Sequence, residues 1–249
     1  LVDGWDDPRM PTISGLRKRG YTPESLKNFA LTVGVSKREN VIDASLLEFC
    51  IRTHLNQVAP RAMAVLDPIK IKLINYENES GEKINFDINP QEKELGTREI
   101  NFSKELYIEN EDFQENPVDG FFRLSLGEEV RLKNAYIIKA VDVVKDEKGK
   151  VKEVLCEYDS KSRSGSNTPE SNRKVKGTIH WVSATDSVKA RVNIYDRLFK
   201  VPEPGKEDDL KNVVNQNSLE VREAFVEPYL AETLETQQFQ FQRLGYFVR

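Results

Sequence analysis

Histidine and cysteine are scarce: the 249-residue chain contains two of each. Cys50 and Cys156 are far apart in the sequence and have no CxxC spacing, so the pattern indicates neither a zinc site nor a disulfide framework. We expect both to be buried thiols in a reducing cytosol. With His54 and His180 as the only histidines, a multi-histidine metal site or a histidine relay is not expected either.

Catalytic sequence motifs are missing as well. There is no Gly-rich phosphate loop, no GxSxG turn and no HExxH pattern. Adjacent carboxylates, such as Asp6 with Asp7 and Glu128 with Glu129, are typical of solvated surface charge. The chain has no initiator Met and no apolar run long enough for targeting or for spanning a membrane.

The charge is unevenly distributed along the chain, although the total is only −4. Counted from Lys, Arg, Asp and Glu, the net charge is +1 for residues 1–58, +2 for 59–75, −8 for 76–115, +5 for 116–200 and −4 for 201–249. A basic middle with acidic flanks permits an anionic partner on one face of an acidic protein.

The first 58 residues have helical periodicity. Leu26, Phe29, Ala30 and Val33 repeat at the offsets of one helix face, between Thr22 as N-cap with Pro23 behind it and Gly34 as the terminating residue. A second helix is predicted from the N-cap Asp43 to a stop at Pro60, with one apolar stripe: Leu47, Ile51, Leu55 and Val58.

From about residue 63 the apolar period changes to two. In "AVLDPIKIKLINY", Ile69, Ile71 and Leu73 alternate with Lys70 and Lys72, which is typical of a half-buried strand. Similar runs are "REINFS", "KELYIE", "EEVRLKN", "AYIIKAVDVVK", "VKEVLCEYD", "KVKGTIHWVSA", "KARVNIYD" and "FQFQRLGYFV". Residues 160–172 and 201–209 are predicted loops. The fold class is therefore α+β by content but mainly β, with antiparallel barrels or a sandwich.

Several outward-facing polar residues could bind an anion or a base. Arg131 and Lys133 share the solvent face of one strand, where an Arg fork can grip a phosphate or the guanine O6 and N7 acceptors. Gln240 has an amide that complements an unstacked base, and Arg243 could join it only if the strand ends or bulges there. Arg61 lies where helix gives way to sheet. Each also has a structural alternative, as a solvated strand face, a barrel strand or a surface Arg, and we expect His180 and Trp181 to be ordinary packed residues.

Six stretches, taken in order, resemble the glutaminyl-tRNA synthetase family of class I aminoacyl-tRNA synthetases. They are "GWDDPRMPTISGLRKRGYT", "APRAMAVLDP", "EVRLKNAYIIK", "KGTIHWVSA", "YDRLF" and "QFQRLGYF". The resemblance runs from residue 2 or 3 to the end. The archaeal and eukaryotic type of glutamyl-tRNA synthetase shares "GWDDPR" and "IHWV" and stays an alternative. A non-enzymatic barrel module that binds ribosomal RNA is another.

The resemblance implies a helical segment, residues 1–58, that follows a catalytic core with its HIGH-type and KMSKS-type motifs outside this chain. It implies two antiparallel anticodon-binding β-barrels similar to a ribosomal-protein barrel: a proximal one from 59–115 and 198–249, and a distal one from 116–197. The whole enzyme would attach glutamine to tRNAGln with ATP and Mg²⁺, whereas this chain alone would hold no cofactor and be inactive. A cytoplasmic monomer is implied, with no DNA or membrane partner.

The resemblance also assigns roles to individual residues. Arg61, Gln240 and Arg243 correspond to the group around the central anticodon base, Arg131 to the first base and Arg123 to the third, with Lys133 near a phosphate. Arg17, Lys18 and Arg19 correspond to a segment that faces the inner corner of the tRNA backbone. Phe122 departs from the family, because a basic residue is expected there; an aromatic ring could instead stack on a base.

Overall fold

A computed structural model describes residues 2–38 and 40–249. Three helices precede the sheets, α1 (Ile13–Lys18), α2 (Pro23–Val33) and α3 (Ala44–Val58), and a single helical turn, α4 (Leu210–Val213), lies late in the chain.

The ends of α2 and α3 are where the sequence predicts them. The Thr22 hydroxyl accepts a hydrogen bond from the N–H of Ser25, and Pro23 opens α2, which Gly34 ends at a φ of 70°. The Asp43 carboxylate caps α3 by accepting from the N–H of Ser45. These caps are confirmed because they depend on short-range chemistry: a side-chain oxygen satisfies a free N–H, and Gly adopts a positive φ without strain.

The apolar stripes of these helices are only partly covered. On the predicted stripe of α3, Leu55 is buried and Ile51 is half-buried, and on that of α2 Phe29 is half-buried. Val33 and Val58, which the periodicity places on the stripes, are exposed. None of the helices in the described part of the chain is long and apolar enough to cross a membrane.

Strands make up most of the remaining secondary structure, so the protein is mainly β, as the sequence predicts. The strands are β1 (Arg61–Ala62), β2 (Ala64–Val65), β3 (Pro68–Leu73), β4 (Glu82–Asp87), β5 (Thr97–Phe102), β6 (Glu105–Glu109), β7 (Phe113–Gln114), β8 (Leu124–Ser125), β9 (Glu129–Leu132), β10 (Ile137–Lys145), β11 (Val151–Asp159), β12 (Thr178–Ile179), β13 (Val182–Ser183), β14 (Val188–Tyr195), β15 (Leu219–Val226), β16 (Gln238–Phe241) and β17 (Gly245–Val248).

A seven-stranded sheet forms the centre, in the order β12-β9-β10-β11-β3-β6-β13. Most of its pairs are antiparallel, but β11 runs parallel to β3, with Val154 opposite Ile71. Two three-stranded sheets, β1-β16-β17 and β14-β15-β2, combine the first two strands with strands from the C-terminal part of the chain. In β3 the predicted alternation is confirmed: Ile69, Ile71 and Leu73 are buried.

Two hydrophobic cores correspond to these sheets. The larger one draws on residues between Met63 and Val182 and surrounds the fully buried Trp181. The smaller one combines Ala62, Ala64 and Leu66 with residues from Val192 to Phe241. Alternate residues of the segment 62–66 therefore enter different cores, and this segment is the covalent joint between them.

Strand pairing crosses the predicted boundary between the proximal and distal barrels, and that division stays a prediction. That division groups 59–115 with 198–249, whereas β3 and β6 lie in the central sheet with β9 to β13, drawn from 116–197. The reason is the β3–β11 pairing across about 80 residues, which no local pattern encodes. The apolar periodicity does not predict β4 and β15. The stretch 174–184, predicted as one strand, holds two short strands that are interrupted at His180 and Trp181.

Candidate nucleic-acid interface

Buried carboxylates hold the junction between the helices and the sheets. The Glu227 carboxylate accepts a hydrogen bond from the N–H of Met63 at 2.5 Å and pairs with the Arg98 guanidinium at 2.6 Å. Glu109 accepts from the N–H groups of Leu66 and Asp67 at 2.7 and 2.9 Å. Carboxylates from β6 and from the residue after β15 thus accept hydrogen bonds from the backbone N–H groups of the irregular segment between β1 and β3. These bonds fix that segment, which we call the platform.

Arg61 and Gln240 lie side by side on this platform. They face each other in the parallel β1–β16 pair. The Arg61 guanidinium donates to the carbonyl oxygens of Ala59 and Asn56, and the Gln240 amide donates to the hydroxyl of Tyr246 at 3.3 Å. The Tyr246 hydroxyl in turn donates to Oδ1 of Asn56 at 3.3 Å. The structure therefore brings two of the predicted readers into one polar cluster.

Burial affects this cluster electrostatically. Arg61 is only 6% exposed, and its desolvation lowers the pKa of the guanidinium, an effect that Tyr246 partly opposes. Burial also disfavours the charged form of Tyr246, and it therefore raises the pKa of this hydroxyl. Both groups keep their ordinary protonation states near neutral pH, so the cluster presents a cation and a neutral hydroxyl beside the Gln240 amide.

Arg243 is close in sequence to Gln240 but has other partners. The strand β16 ends at Phe241, and Arg243 adopts a φ of 72°, a left-handed conformation that turns it out of the strand. Its Nη1 and Nη2 donate to the two oxygens of Asp112, each at 2.6 Å, and this carboxylate raises the pKa of the guanidinium. The predicted grouping of Arg243 with Arg61 and Gln240 is therefore not a set of direct contacts.

Arg123 meets Arg243 at the same carboxylate. Its Nη1 lies 3.1 Å from Oδ1 of Asp112 and 2.9 Å from Oε1 of Glu111. Asp112 has no exposed side-chain surface, whereas the side chains of Arg123 and Arg243 are 37% and 29% exposed. A buried anion thus fixes two partly exposed guanidiniums, one from each side of the junction.

Arg131 is engaged within the protein. Its Nη1 donates to the Ser162 carbonyl at 2.9 Å and to the Ser164 hydroxyl, and its Nη2 donates to the carbonyls of Ser171 and Arg173. Burial, with a contribution from Arg173, lowers its pKa. Arg131, predicted to face outward, therefore stabilises the loop after β11. Of its five N–H donors, the Nε–H is the one that has no acceptor among the described residues.

Other predicted cations are less constrained. Lys133 is half-buried and Arg17 is exposed, and the described part of the chain offers neither an ion-pair partner. Lys18 pairs with Asp6 at 3.0 Å on the surface, and Arg19 donates to the carbonyl of Tyr195 at 3.0 Å. The basic end of α1 therefore lies against β14, with Arg17 open to solvent.

Phe122 lies at an open cavity of about 620 Å³ beside Arg123. The ring is 67% exposed, and the cavity is also lined by Lys139, Lys174 and Lys176. Lys176 is paired with Glu128 at 3.1 Å, which reduces the positive charge of this wall. An exposed aromatic ring next to cations suits stacking on a base.

Sequence reasoning missed the residues that position these cations. Asp112, which holds Arg123 and Arg243, lies in an acidic stretch that offers no pattern to single it out. His180 is packed, as the sequence predicts, with 1% of its surface exposed, but no sequence pattern indicates its contact with Arg243. No group of three His, Cys, Asp or Glu side chains within residues 2–38 and 40–249 is arranged to hold a metal ion.

Comparisons with known proteins place these residues in matched domains. The chain matches models described as tRNA synthetases class I (E and Q): the anti-codon binding domain over residues 59–159 and 178–249, and the catalytic domain over residues 1–57. All six residues predicted to contact the anticodon lie within the two anticodon-binding matches.

Similar curated proteins are named glutamine–tRNA ligase. The one from Haemophilus influenzae is 51% identical over 247 residues, that from Aliivibrio fischeri 50% over 247, and that from Escherichia coli O157:H7 48% over 246. Each comparison covers 99% of this chain and 44% of the relative, so the chain spans less than half the length of these proteins. These matches favour a synthetase over a ribosomal-RNA-binding module.

Proposed function

The chain belongs to the class I tRNA synthetases of the E and Q type, and from this premise we propose that it recognises the anticodon loop of tRNAGln. The observation that carries the proposal is the arrangement around the junction: Arg61 beside Gln240 on paired strands, and Arg123 with Arg243 on one buried carboxylate. Arginine forks and amides are the groups that read unstacked bases, and all four lie in ranges that match anticodon-binding domains.

In this proposal the residues have distinct roles. Arg61 and Gln240 bind the central base, Arg131 the first and Arg123 the third, with Arg243 close by and Lys133 at a phosphate. Arg17, Lys18 and Arg19 follow the backbone along the inner face of the tRNA L. The exposure of Arg17 supports a backbone contact, because a solvated cation exchanges counterions for phosphate at little cost.

The proposal extends to the whole protein. In this proposal the whole protein ligates glutamine to tRNAGln with ATP and Mg²⁺. It works in the cytoplasm as a monomer, and the adenylate forms outside the sheets described above. No residue of this chain is assigned to the ion, because the donor sets of the described residues do not fit one. The match of residues 1–57 to a catalytic-domain model supports grouping the helical segment with that part of the protein.

We also propose that the two hydrophobic cores belong to two anticodon-binding barrels similar to a ribosomal-protein barrel. The existence of two separate cores, joined at residues 62–66, supports this. The boundary between the barrels is then the junction itself, with the central strands on one side and β14 to β17 on the other.

A filter-binding titration tests the function. The protein is titrated with tRNAGln and with transcripts changed at one anticodon base, at two salt concentrations. We expect Arg61→Ala to weaken binding of tRNAGln by about 1 to 3 kcal/mol and to leave binding of a transcript with a changed central base almost unaltered. Arg17→Ala is the matched control: it removes one positive charge and should weaken all transcripts equally, reducing the salt slope by about one.

Two outcomes would contradict the proposal. If the unmodified protein binds all anticodon variants equally, it does not read the anticodon. If it prefers the transcript with a glutamate anticodon, the glutamyl alternative is correct.

A further inference from the structure

A buried histidine contacts the pair formed by Arg243 and Asp112. His180 lies between β12 and β13 and is 1% exposed. Its Nδ1 is 3.3 Å from Nη1 of Arg243. Since a guanidinium can only donate, Nδ1 must accept, and the neutral ring then carries its proton on Nε2.

The other side of the ring faces Glu109. Nε2 of His180 lies 3.4 Å from Oε1 of Glu109, close enough for charge to act between them, but it makes no hydrogen bond to any described residue. Burial alone would raise the pKa of Glu109, but His180 and the N–H groups of Leu66 and Asp67 outweigh it, so the pKa is lowered. Glu109 is therefore an anion fixed to the junction backbone, and it favours the tautomer that presents Nδ1 to Arg243.

Counting donors shows what this arrangement leaves free. A guanidinium has five N–H groups. Arg243 uses both on Nη1, for Asp112 and His180, and one on Nη2, for Asp112. The Nε–H and the second Nη2–H find no acceptor among the described residues, and they lie on the same edge of the guanidinium. This edge is a two-pronged fork, and Asp112 and His180 together set its direction.

We propose that His180 is a positioning residue for anticodon recognition: as a neutral acceptor it aims the free edge of Arg243 at a base with two acceptors. The inference rests on the proposed function. Arg123 shares Asp112, so a change in the plane of that carboxylate reaches both guanidiniums.

The charges around the ring make its neutral state important. Glu109 of β6 lies beside the ring, and the carboxylates of Asp112 and Glu111 contact the neighbouring guanidiniums. On the cationic side are Arg243, Arg123 and, from β15, Arg222, which senses the charge of Glu109. A protonated ring would turn Nδ1 from an acceptor into a donor that faces a cation. Arg243 would then keep its two hydrogen bonds to Asp112 but lose the third, to His180, that sets the direction of its free edge.

Two substitutions separate the two ring nitrogens. His180→Asn keeps an oxygen near the position of Nδ1, and His180→Gln keeps a polar group near Nε2 but none at Nδ1. We expect His180→Gln to reduce the preference for tRNAGln over its anticodon variants by about two- to tenfold, the range of one hydrogen bond. His180→Asn should stay within about twofold of the unmodified protein.

The measurement is the ratio of dissociation constants for tRNAGln and for each single-base variant. His180→Asn tests the inference even if His180→Gln does not fold: its retained oxygen should keep the ratio within about twofold of that of the unmodified protein, and a larger loss in this variant would contradict the inference.

Specific results would overturn the inference. Equal ratios for His180→Gln and His180→Asn would show that Nδ1 does not position Arg243. A uniform loss on all transcripts would indicate a structural role alone. If the unmodified protein shows no preference among transcripts, the proposed function fails first and the inference with it.

Discussion

Replacing Glu227 with Gln should destabilise the protein strongly, because it leaves a buried charge without its partner. The side chains of Glu227 and Arg98 are 1% and 4% exposed, and Nε of Arg98 lies 2.6 Å from Oε2 of Glu227. A second contact, from Nη2 to Oε1, measures 2.9 Å. At an effective dielectric constant near 20, Coulomb's law gives roughly 6 kcal/mol for two unit charges at this separation, and desolvation offsets part of it. We expect the free energy of unfolding to fall by about 3 to 5 kcal/mol.

A surface pair with the same shortest distance provides the control. Nε of Arg222 also lies 2.6 Å from a carboxylate oxygen, Oε1 of Glu220, but these side chains are 40% and 54% exposed. Glu220→Gln should leave the urea midpoint almost unchanged, because solvent screens the pair and solvates each partner. The two substitutions make the same chemical change, but only Glu227 is buried, with a second contact to Arg98 and a hydrogen bond from the Met63 N–H.

Urea unfolding measures both effects. The intensity of Trp181, which is fully buried beside Phe86, reports on the large core, and Arg98 lies over that same Phe86 ring. The midpoint of Glu227→Gln should fall while the urea dependence stays constant. The double variant Arg98→Met with Glu227→Leu should regain part of the loss, since both charges leave together, but not the hydrogen bond of the Met63 N–H. Equal shifts for Glu227→Gln and Glu220→Gln would refute the reasoning from burial.

Two further predictions concern the ends of the interface. Hydrogen bonds from Arg9 hold the pKa of Asp7 well below its ordinary value of 3.8, so this contact stabilises the fold fully above about pH 4 and is lost as the pH falls further. Asp7→Asn should flatten the acid limb of a thermal-stability profile between pH 5 and pH 2.5; an unchanged limb would assign the acid sensitivity to other carboxylates. Arg131→Ala should speed protease cleavage within residues 160–173, because the loop loses the donors that hold its carbonyls. Cleavage at the unmodified rate, followed by mass spectrometry, would show that the loop is held by its own turns.

Local chemistry explains how much of the fold was predictable. Thr22, Gly34 and Asp43 mark helix ends through contacts within a few residues, and the alternation of Ile69 and Ile71 reflects a single half-buried strand. Such features need no knowledge of distant chain. The strand β15, with its exposed Leu219 and Val221, lacks a clear apolar face, so its existence depends on pairing with β14.

The candidate site was predictable in composition but not in arrangement. The alternation of "FQFQRLG" lets Arg243 join Gln240 only if the strand ends or bulges; the strand does end at Phe241, but the partner of Arg243 is Asp112, 131 positions away. Likewise, alternation correctly puts Arg131 on the face opposite the core, but a returning loop covers that face and takes up its donors. Side-chain partners across such separations are set by the packing of sheets, which no short sequence window contains.

The sequence by itself determined the helix boundaries, the mainly β character and, through long ordered motifs, the family, because each is carried by residue types and their spacing. The tertiary structure alone decided that β3 joins β11, that Asp112 brings Arg123 and Arg243 together, and that His180 accepts from a guanidinium. These depend on groups that meet only when two sheets pack at the junction, where burial makes every unpaired charge costly and so selects one arrangement.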